Sequence, residues 1–531
     1  MSSPATETAK NSSPAGETAA ATSKSRSVWT NYRFWIFLLI VFCALVSFGY
    51  VHGPVATVFA VITFAEVVLL FNILIIVHEL GHFLAAKWCG LKIDKFAIWF
   101  GHPLWTKKVD GVEYVLGSIP AGGYVALPQM APMEAIEGKS DTPREELAAA
   151  SPWQKIVVAF AGPLFSFGLA LFFACIVWVV GRPVPYGEGT TTIGVVEPKY
   201  PAAIAGLLPG DKILSIDGHP ISHFMGMGDS VIWRIVTSTA DTIPVVVQRG
   251  SETKTFIVSP QKDVEHDHHW YERGATRKIG IGPADGPLII KKLTPFGPAE
   301  TAGLKPGDQI VAMNGQTIYS GQQIGLQLKE HEHDAITLTV LRNGATQDIK
   351  VTPEKPISPA TMPAEGPSTD LGFSEFEPGK ISLLHQTPWQ QVVDSVNAVV
   401  GTISALFASH SSVGVTQLSG PIGIMNILFA VLSSDVGWRY ALWLAVLINV
   451  NLAMLNLLPL PVLDGGHIAL SVIEWIRRRP LSMSILEPLQ TACALVLIGY
   501  MVFITFFDVQ DSGRMLSGSG EVKFAPKQSA P

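Results

Sequence analysis

The chain has 531 residues, 48% of them hydrophobic and only 15% charged, with a mean hydropathy of +0.34. Such a composition excludes an ordinary soluble enzyme, and a net charge of −6 without a basic field argues against nucleic acid as a partner. A multi-pass membrane protein in contact with a lipid bilayer is expected.

Residues 1–33 are rich in Ser, Ala and Thr and read as a disordered cytoplasmic tail. Arg26 and Arg33 precede an apolar run over 34–51, which is longer than a signal-peptide core and lacks a small-residue cleavage site. An additional, uncleaved transmembrane helix is expected there. Four more spans are expected at 55–88, 156–180, 441–458 and 489–507, about five in all. Basic residues near the span ends (Arg26 and Arg33; Lys92, Lys95, Lys107 and Lys108; Arg477, Arg478 and Arg479) belong on the cytoplasmic side. The long segment from about 182 to 438 then faces outward. Cys43, Cys89, Cys175 and Cys493 sit in or beside apolar runs and form neither a disulfide framework nor a metal cluster pattern.

The second span carries His78-Glu79-Leu80-Gly81-His82. Two histidines four apart share one helix face and can each turn a ring nitrogen to one ion, with Glu79 beside them as a general base. Zinc catalysis needs three protein ligands and an open position. The pattern that places a third ligand six residues on is not met, because Trp88 stands there and Ala85 replaces its glycine. The best candidate is distant: Asp464, in Leu460-Pro461-Val462-Leu463-Asp464-Gly465-Gly466, which reads as helix, proline break, acid and glycine turn. On the orientation above, both halves of this site lie toward the cytoplasmic side. His467 is expected to pack beside the ligands rather than join them.

Between the second and third spans, 92–127 alternates apolar and polar residues, with Asp110-Gly111 as a tight turn between strands at 105–109 and 112–116. A glycine-rich stretch including Gly122, Gly123 and Tyr124 continues it. The expected role is a membrane-associated β-hairpin region whose strand edge pairs with an extended substrate.

The outward segment repeats itself. Eighteen residues from Pro201 to Gly218 recur 97 positions later, from Pro298 to Gly315, with ten identities. Each copy implies a short helix, a Pro-Gly-Asp turn and an apolar strand. The pair resembles two tandem PDZ domains of the bacterial permuted type, at 184–262 and 279–354; such domains take extended peptides or C-termini by strand addition, and the alternative is that one or both are spacers that restrict access. His266-Asp267-His268-His269, between them, reads as an exposed polar linker. An amphipathic region over 380–437 is expected on the outer membrane face, and 509–531 forms a tail.

With these motifs together, and with Ala161-Gly162-Pro163, Ser419-Gly420-Pro421-Ile422 and the run from Asn451 through Asn456 to Asp464, the chain resembles the site-2 protease family of intramembrane zinc metalloproteases. The likeness is to its PDZ-containing bacterial type, over nearly all of 55–507. It implies catalytic membrane cores at 55–181 and 438–508, Zn²⁺ on His78, His82 and Asp464, and Glu79 as the base. Asn451 and Asn456 would bind the unwound backbone of a single-span membrane protein in a bacterial inner membrane, such as an anti-sigma factor already trimmed outside or a leftover signal peptide. Ser166 stands where the family commonly has Asn, a departure that bears on helix packing rather than chemistry. A catalytically silent PDZ-bearing scaffold would have lost a ligand or Glu79, and none is lost.

Overall fold

A computed structural model describes residue 46, residues 53–130, 147–262 and 273–357, residues 368–516 with short gaps, and 522–524. The expected first span at 34–51, apart from helical Val46, and the histidine-rich linker at 266–269 lie outside the described residues. The chain divides into two units, Met1–Ile62 and Thr63–Pro531. Of the first, the described part consists mainly of the opening turns of helix α1 (Pro54–Trp88), with Val55, Val58, Phe59, Val61 and Ile62 exposed.

Within the described residues, four helical segments are long and apolar enough to cross a membrane: α1, α2 (Pro152–Val180), α5 (Gly437–Asn456) and Leu486–Asp511 of α7 (Met483–Leu516). These match the expected spans within a few residues at most ends. Helix α1 has 35 residues and is about 52 Å long at 1.5 Å per residue, well beyond a ~30 Å hydrocarbon core. It stops at Trp88 because Gly90 takes a left-handed φ of 71°. Helix α2 starts at a capping box, in which Ser151 accepts from the Gln154 amide and Gln154 accepts from the Ser151 amide.

Small residues set how closely these helices approach. Ala170 and Ala174 of α2 and Ala445 of α5 are fully buried in a cluster with Leu74 and Val450. Helix α3 (Pro388–Phe407) turns Val392 of its apolar stripe into this cluster and leaves Val400 and Phe407 exposed, and Gln391 donates to the Ala174 carbonyl (3.1 Å). Part of its apolar stripe thus meets helices, which the periodicity alone does not distinguish from lipid. Helix α4 (Pro421–Leu432) follows, and α6 (Asp464–Arg477) separates α5 from α7.

The supposed tail is partly structured. Helix α7 runs on to Leu516, and its Asp508, 2% exposed, accepts from the amides of Gly420 (3.0 Å) and Gly423 (2.9 Å) at the start of α4. Asp508 also accepts from Arg273 (2.8 Å), whose Nε reaches Asp511 (2.6 Å). Further on, the Lys523 carbonyl accepts from the Ile357 amide.

The loop after α1 forms a four-stranded sheet in the order β2 (Trp105–Val109), β3 (Val112–Leu116), β1 (Lys95–Phe100), β4 (Ile119–Ala126). The hairpin falls where the Asp110-Gly111 signal puts it, with φ of 50° and 82° at the two turn residues. Strand β1 is parallel to β3 and antiparallel to β4, so β4 is an edge strand. The sheet packs on the C-terminal half of α1 through Phe83, Ala86, Phe96 and Val125.

The repeat folds twice alike. In each copy an Asp, 1% exposed, closes the Pro-Gly-Asp turn by accepting a backbone N–H: Asp211 from Leu208 (3.0 Å), Asp308 from Lys305 (2.8 Å). Each also takes a forked pair of bonds from an arginine, Arg249 at 2.6 and 2.7 Å and Arg342 at 2.6 Å twice. Each arginine then donates to the carbonyl of the helix-ending glycine, Gly206 or Gly303. The sequence limits close both domains too early. Ile281–Pro283 pairs with Ile193–Val196 and Ile279 lies in the first core, while Phe373–Phe376 pairs with Leu288–Leu293 and Leu371 lies in the second. In both, a strand beyond a linker returns to the opening strand, and eighteen repeated residues carry no sign of that non-local pairing. Arg182–Val184 and Ser382–Leu384 pair antiparallel, so the chain leaves α2 and returns to α3 on one two-stranded ribbon.

The Arg342 fork holds the Asp308 carboxyl below its ordinary range. Its contribution is therefore complete above the unfolded pKa and is lost as pH falls toward the lowered value. Asp308→Asn is expected to speed amide exchange of strands 309–313 and 336–342 roughly tenfold, with the first domain unchanged. Lowering the pH from 6 toward 3 should narrow the gap between variant and parent; hydrogen exchange read by mass spectrometry checks both.

Candidate active site

The spacing of four puts His78 and His82 on one face of α1, and α2 crosses that face at Ala161-Gly162-Pro163. The approach leaves no room for side chains: a Cβ on Gly81 would fall 2.4 Å from the Ala161 oxygen, and one on Gly162 would fall 2.2 Å from His82 Nε2. Helix α2 also orients both rings. His82 Nδ1 lies 2.8 Å from the Val158 carbonyl, which only accepts, so this nitrogen carries a proton, and in the neutral ring Nε2 is the lone pair. His78 Nδ1 bonds to the Ser166 hydroxyl (3.0 Å), and Ser166 is fully buried. Ser166 therefore acts on the site itself, correcting the expectation that its departure from the family pattern concerns packing alone.

Asp464 arrives as the first residue of α6. Gly465 and Gly466 belong to that helix's first turn rather than to a turn beyond it. A Cβ on either would meet the Leu457 or Leu460 carbonyl at 2.1 or 2.0 Å, so the glycines let α6 start hard against the end of α5. The loop is fixed from α7 by Gln490 donating to the Pro461 carbonyl (3.2 Å), and α6 is held to α2 by a Lys155–Glu474 ion pair (2.7 Å).

Three acceptor groups converge as a result. His78 Nε2 lies 3.2 Å from one Asp464 oxygen, His82 Nε2 lies 3.4 Å from the other, and the two Nε2 atoms are 3.3 Å apart. Asp464 Oδ2 is buried without a hydrogen-bond donor. Adjacent ligands on a tetrahedral zinc with bonds near 2.0–2.1 Å are separated by about 3.3 Å, so these residues fit the ion in spacing and donor type. Among the described residues this is the one group of three or more such side chains gathered to hold a metal.

A cavity of about 360 Å³ opens over the group. Glu79, half-buried, lines it next to His78 and His82, and a Cβ on Gly123 would lie 3.6 Å from Glu79 Cγ. The opposite wall is β4, at Gly123, Tyr124 and Val125. Asn456 also lines the cavity, its Nδ2 lying 3.3 Å from His78 Nε2, and His467 lines it one turn beyond Asp464. Two expected substrate residues stand apart. Asn451, half-buried and earlier on α5, does not line the cavity, and Gly122 sits over Phe100, whose ring would be 2.1 Å from a Cβ there. Phe100 in turn stacks on Tyr124 with 5.9 Å between ring centres. Phe100, Val158 and Ser166 were missed because nothing in a linear string shows which strand or helix will cross a histidine.

Residues 66–500 match the model of Peptidase family M50. A Vibrio cholerae serotype O1 protein named "Putative zinc metalloprotease" is 33% identical over 451 residues, 80% of this chain and 93% of its own. The Regulator of sigma-E protease RseP of Escherichia coli strain K12 is 30% identical over 445 residues, covering 79% and 92% of the two chains. The Regulator of sigma E protease of Haemophilus influenzae is 29% identical over 472 residues, covering 82% and 96%.

Ser166→Ala leaves His78 without its orienting partner and is expected to weaken zinc affinity roughly 10–100-fold while the helices stay packed. Gly162→Ala, which drives a methyl into the His82 nitrogen, should lose more. Zinc content after dialysis against graded chelator, measured by mass spectrometry, checks the order.

Proposed function

The chain belongs to peptidase family M50 and is a membrane-embedded zinc metalloprotease, and from that premise we propose that it cuts peptide bonds within the membrane-spanning segments of single-span membrane proteins. The observation that carries this reading is the convergence of His78, His82 and Asp464 between helices apolar enough to cross a membrane, with Glu79 and an edge strand facing the same cavity.

In this reading His78, His82 and Asp464 hold the zinc, with Ser166 and the Val158 carbonyl fixing the rings so that their Nε2 lone pairs point inward. Bound zinc supplies a Lewis acid that activates water near neutral pH and stabilises the developing oxyanion. Glu79 takes the proton of the attacking water and returns it to the leaving amine. A transmembrane helix hides its peptide bonds in its own hydrogen-bond ladder, so the substrate must unwind locally and find new backbone partners in a dry site. Strand β4, at Gly123 and Tyr124, offers those partners as an unpaired edge, and the Asn456 amide offers donors and an acceptor beside the metal ligands.

The two repeat domains are read as PDZ domains on the outer face of a bacterial inner membrane, where they bind an exposed peptide end or bar bulky ectodomains. The two-stranded ribbon at their base and the Arg273 bonds to α7 support a fixed placement beside the helices. Regulated proteolysis of membrane proteins already trimmed outside, anti-sigma factors among them, follows as the setting.

Cleavage of a tagged single-span helix with a short ectodomain by zinc-loaded protein in vesicles tests the reading. Glu79→Gln is expected to lower kcat roughly 10²–10⁴-fold with zinc still bound. Equal cutting by both proteins, or none by either at full zinc content, would overturn it.

A further inference from the structure

Asn72 sits within the apolar stretch of α1 and is only 4% exposed. Its Oδ1 accepts from the Trp99 indole N–H (2.6 Å), and its Nδ2 donates to the Val68 carbonyl of its own helix (2.6 Å) and toward the Pro120 carbonyl (3.4 Å). Trp99 belongs to β1 and Pro120 to β4, so one helical side chain holds both strands. The ladder breaks there. Ile98 faces Gly123 and Phe100 faces Ile119, which leaves Trp99 alone opposite Pro120, Ala121 and Gly122. Trp99 takes a left-handed φ of 70°, rare for a tryptophan, and Gly122 one of 76°.

Beyond this bulge β4 is regular, with Gly123 to Ala126 facing Ile98 to Lys95, and this is the part that lines the catalytic cavity. The bulge itself offers an incoming strand little: Pro120 has no N–H, and three residues answer to one. A strand with adjacent glycines at 122 and 123 specifies its own register weakly, so an outside anchor decides where the bulge stays. Asn72 is that anchor. It precedes His78 by six residues on the same rigid helix, a rise of about 9 Å.

We infer that Asn72 and Trp99 form a register stop: they fix where an extended substrate strand can pair with β4, and so select which of its peptide bonds faces Glu79. The inference rests on the proposed pairing of substrate with β4. Because strand side chains alternate, a slip of one residue would present the opposite face and a different bond. Asn72 and Trp99 are positioning residues that act through β4.

The test maps every bond cut in a tagged single-span test helix by mass spectrometry, with kcat and KM measured separately on zinc-loaded full chain in vesicles. Wild type is expected to cut one principal bond. Asn72→Leu, Trp99→Phe and the double variant are expected to spread cleavage over neighbouring bonds, with kcat at the principal bond down about tenfold and KM nearly unchanged. The double variant separates pinning from mere satisfaction of buried groups, because removing both partners abolishes the cost of leaving one unpaired. If it cuts the same single bond at wild-type kcat, the stop is wrong; scattered cutting by wild type overturns it equally. Should Asn72→Leu fail to accumulate, Trp99→Phe carries the test, since it keeps an aromatic ring and leaves α1 untouched. Gly123→Pro tells this failure from that of the pairing: wild-type cutting by it, with zinc bound, sinks the pairing. Loss of cutting by it beside an unchanged single site in the Asn72 variants sinks the stop alone.

Discussion

Two imidazole nitrogens and a carboxylate, held 3.2–3.4 Å apart inside a helical bundle, form a donor set whose spacing a zinc ion would satisfy. The Val158 carbonyl holds the proton of the neutral His82 ring on Nδ1, which leaves Nε2 facing the gap as a lone pair. Much of the surrounding structure keeps these three groups together. Ser166 turns the other ring, Lys155 and Glu474 tie α6 to α2, and Gln490 holds the loop that delivers the aspartate.

Close backbone approach is the means. Gly81 against Ala161, Gly162 against His82, and Gly465 and Gly466 against the end of α5 are contacts in which a single methyl would collide with a carbonyl or a ring. Lipid gives helices little hydrophobic reason to associate, so approach of this kind, with the dispersion contacts it permits, supplies the attraction. The glycines inside the three motifs thus act in the same physical way, letting segments far apart in the chain come within bonding distance of one ion.

The remainder of the chain is organised by directional polar contacts, each replacing a solvent partner that a buried group has lost. Asp211 and Asp308 each knit a turn, a strand end and a helix end through one arginine, and they do so identically in two domains. Asp508 does comparable work at the end of α7, where it caps α4 and receives Arg273. Asn72 does it within α1, joining helix to sheet. In surroundings of low polarity each such network stabilises strongly when satisfied and costs heavily when broken, which fixes the positions of the segments it joins.

Much was legible in the sequence because its physics is local. Apolar run length marked four spans, Asp110-Gly111 marked the hairpin, and the spacing of His78 and His82 marked a shared face. Nomination of Asp464 came from its place after a proline break, and its partnership with His82, 382 positions earlier in the chain, became geometry only in the fold. What the sequence could not carry was contact between distant segments. It did not show that the glycines after Asp464 begin a helix, that α3 packs on protein, or that both repeat domains close with a strand from beyond a linker. Nor did it show that Asn451 lies off the cavity while Ser166 lies on a ligand ring. Periodicity and turn chemistry act over a few residues, whereas the crossing of α1 and α2, which decides what each histidine touches, depends on shape complementarity that exists only once the helices have met.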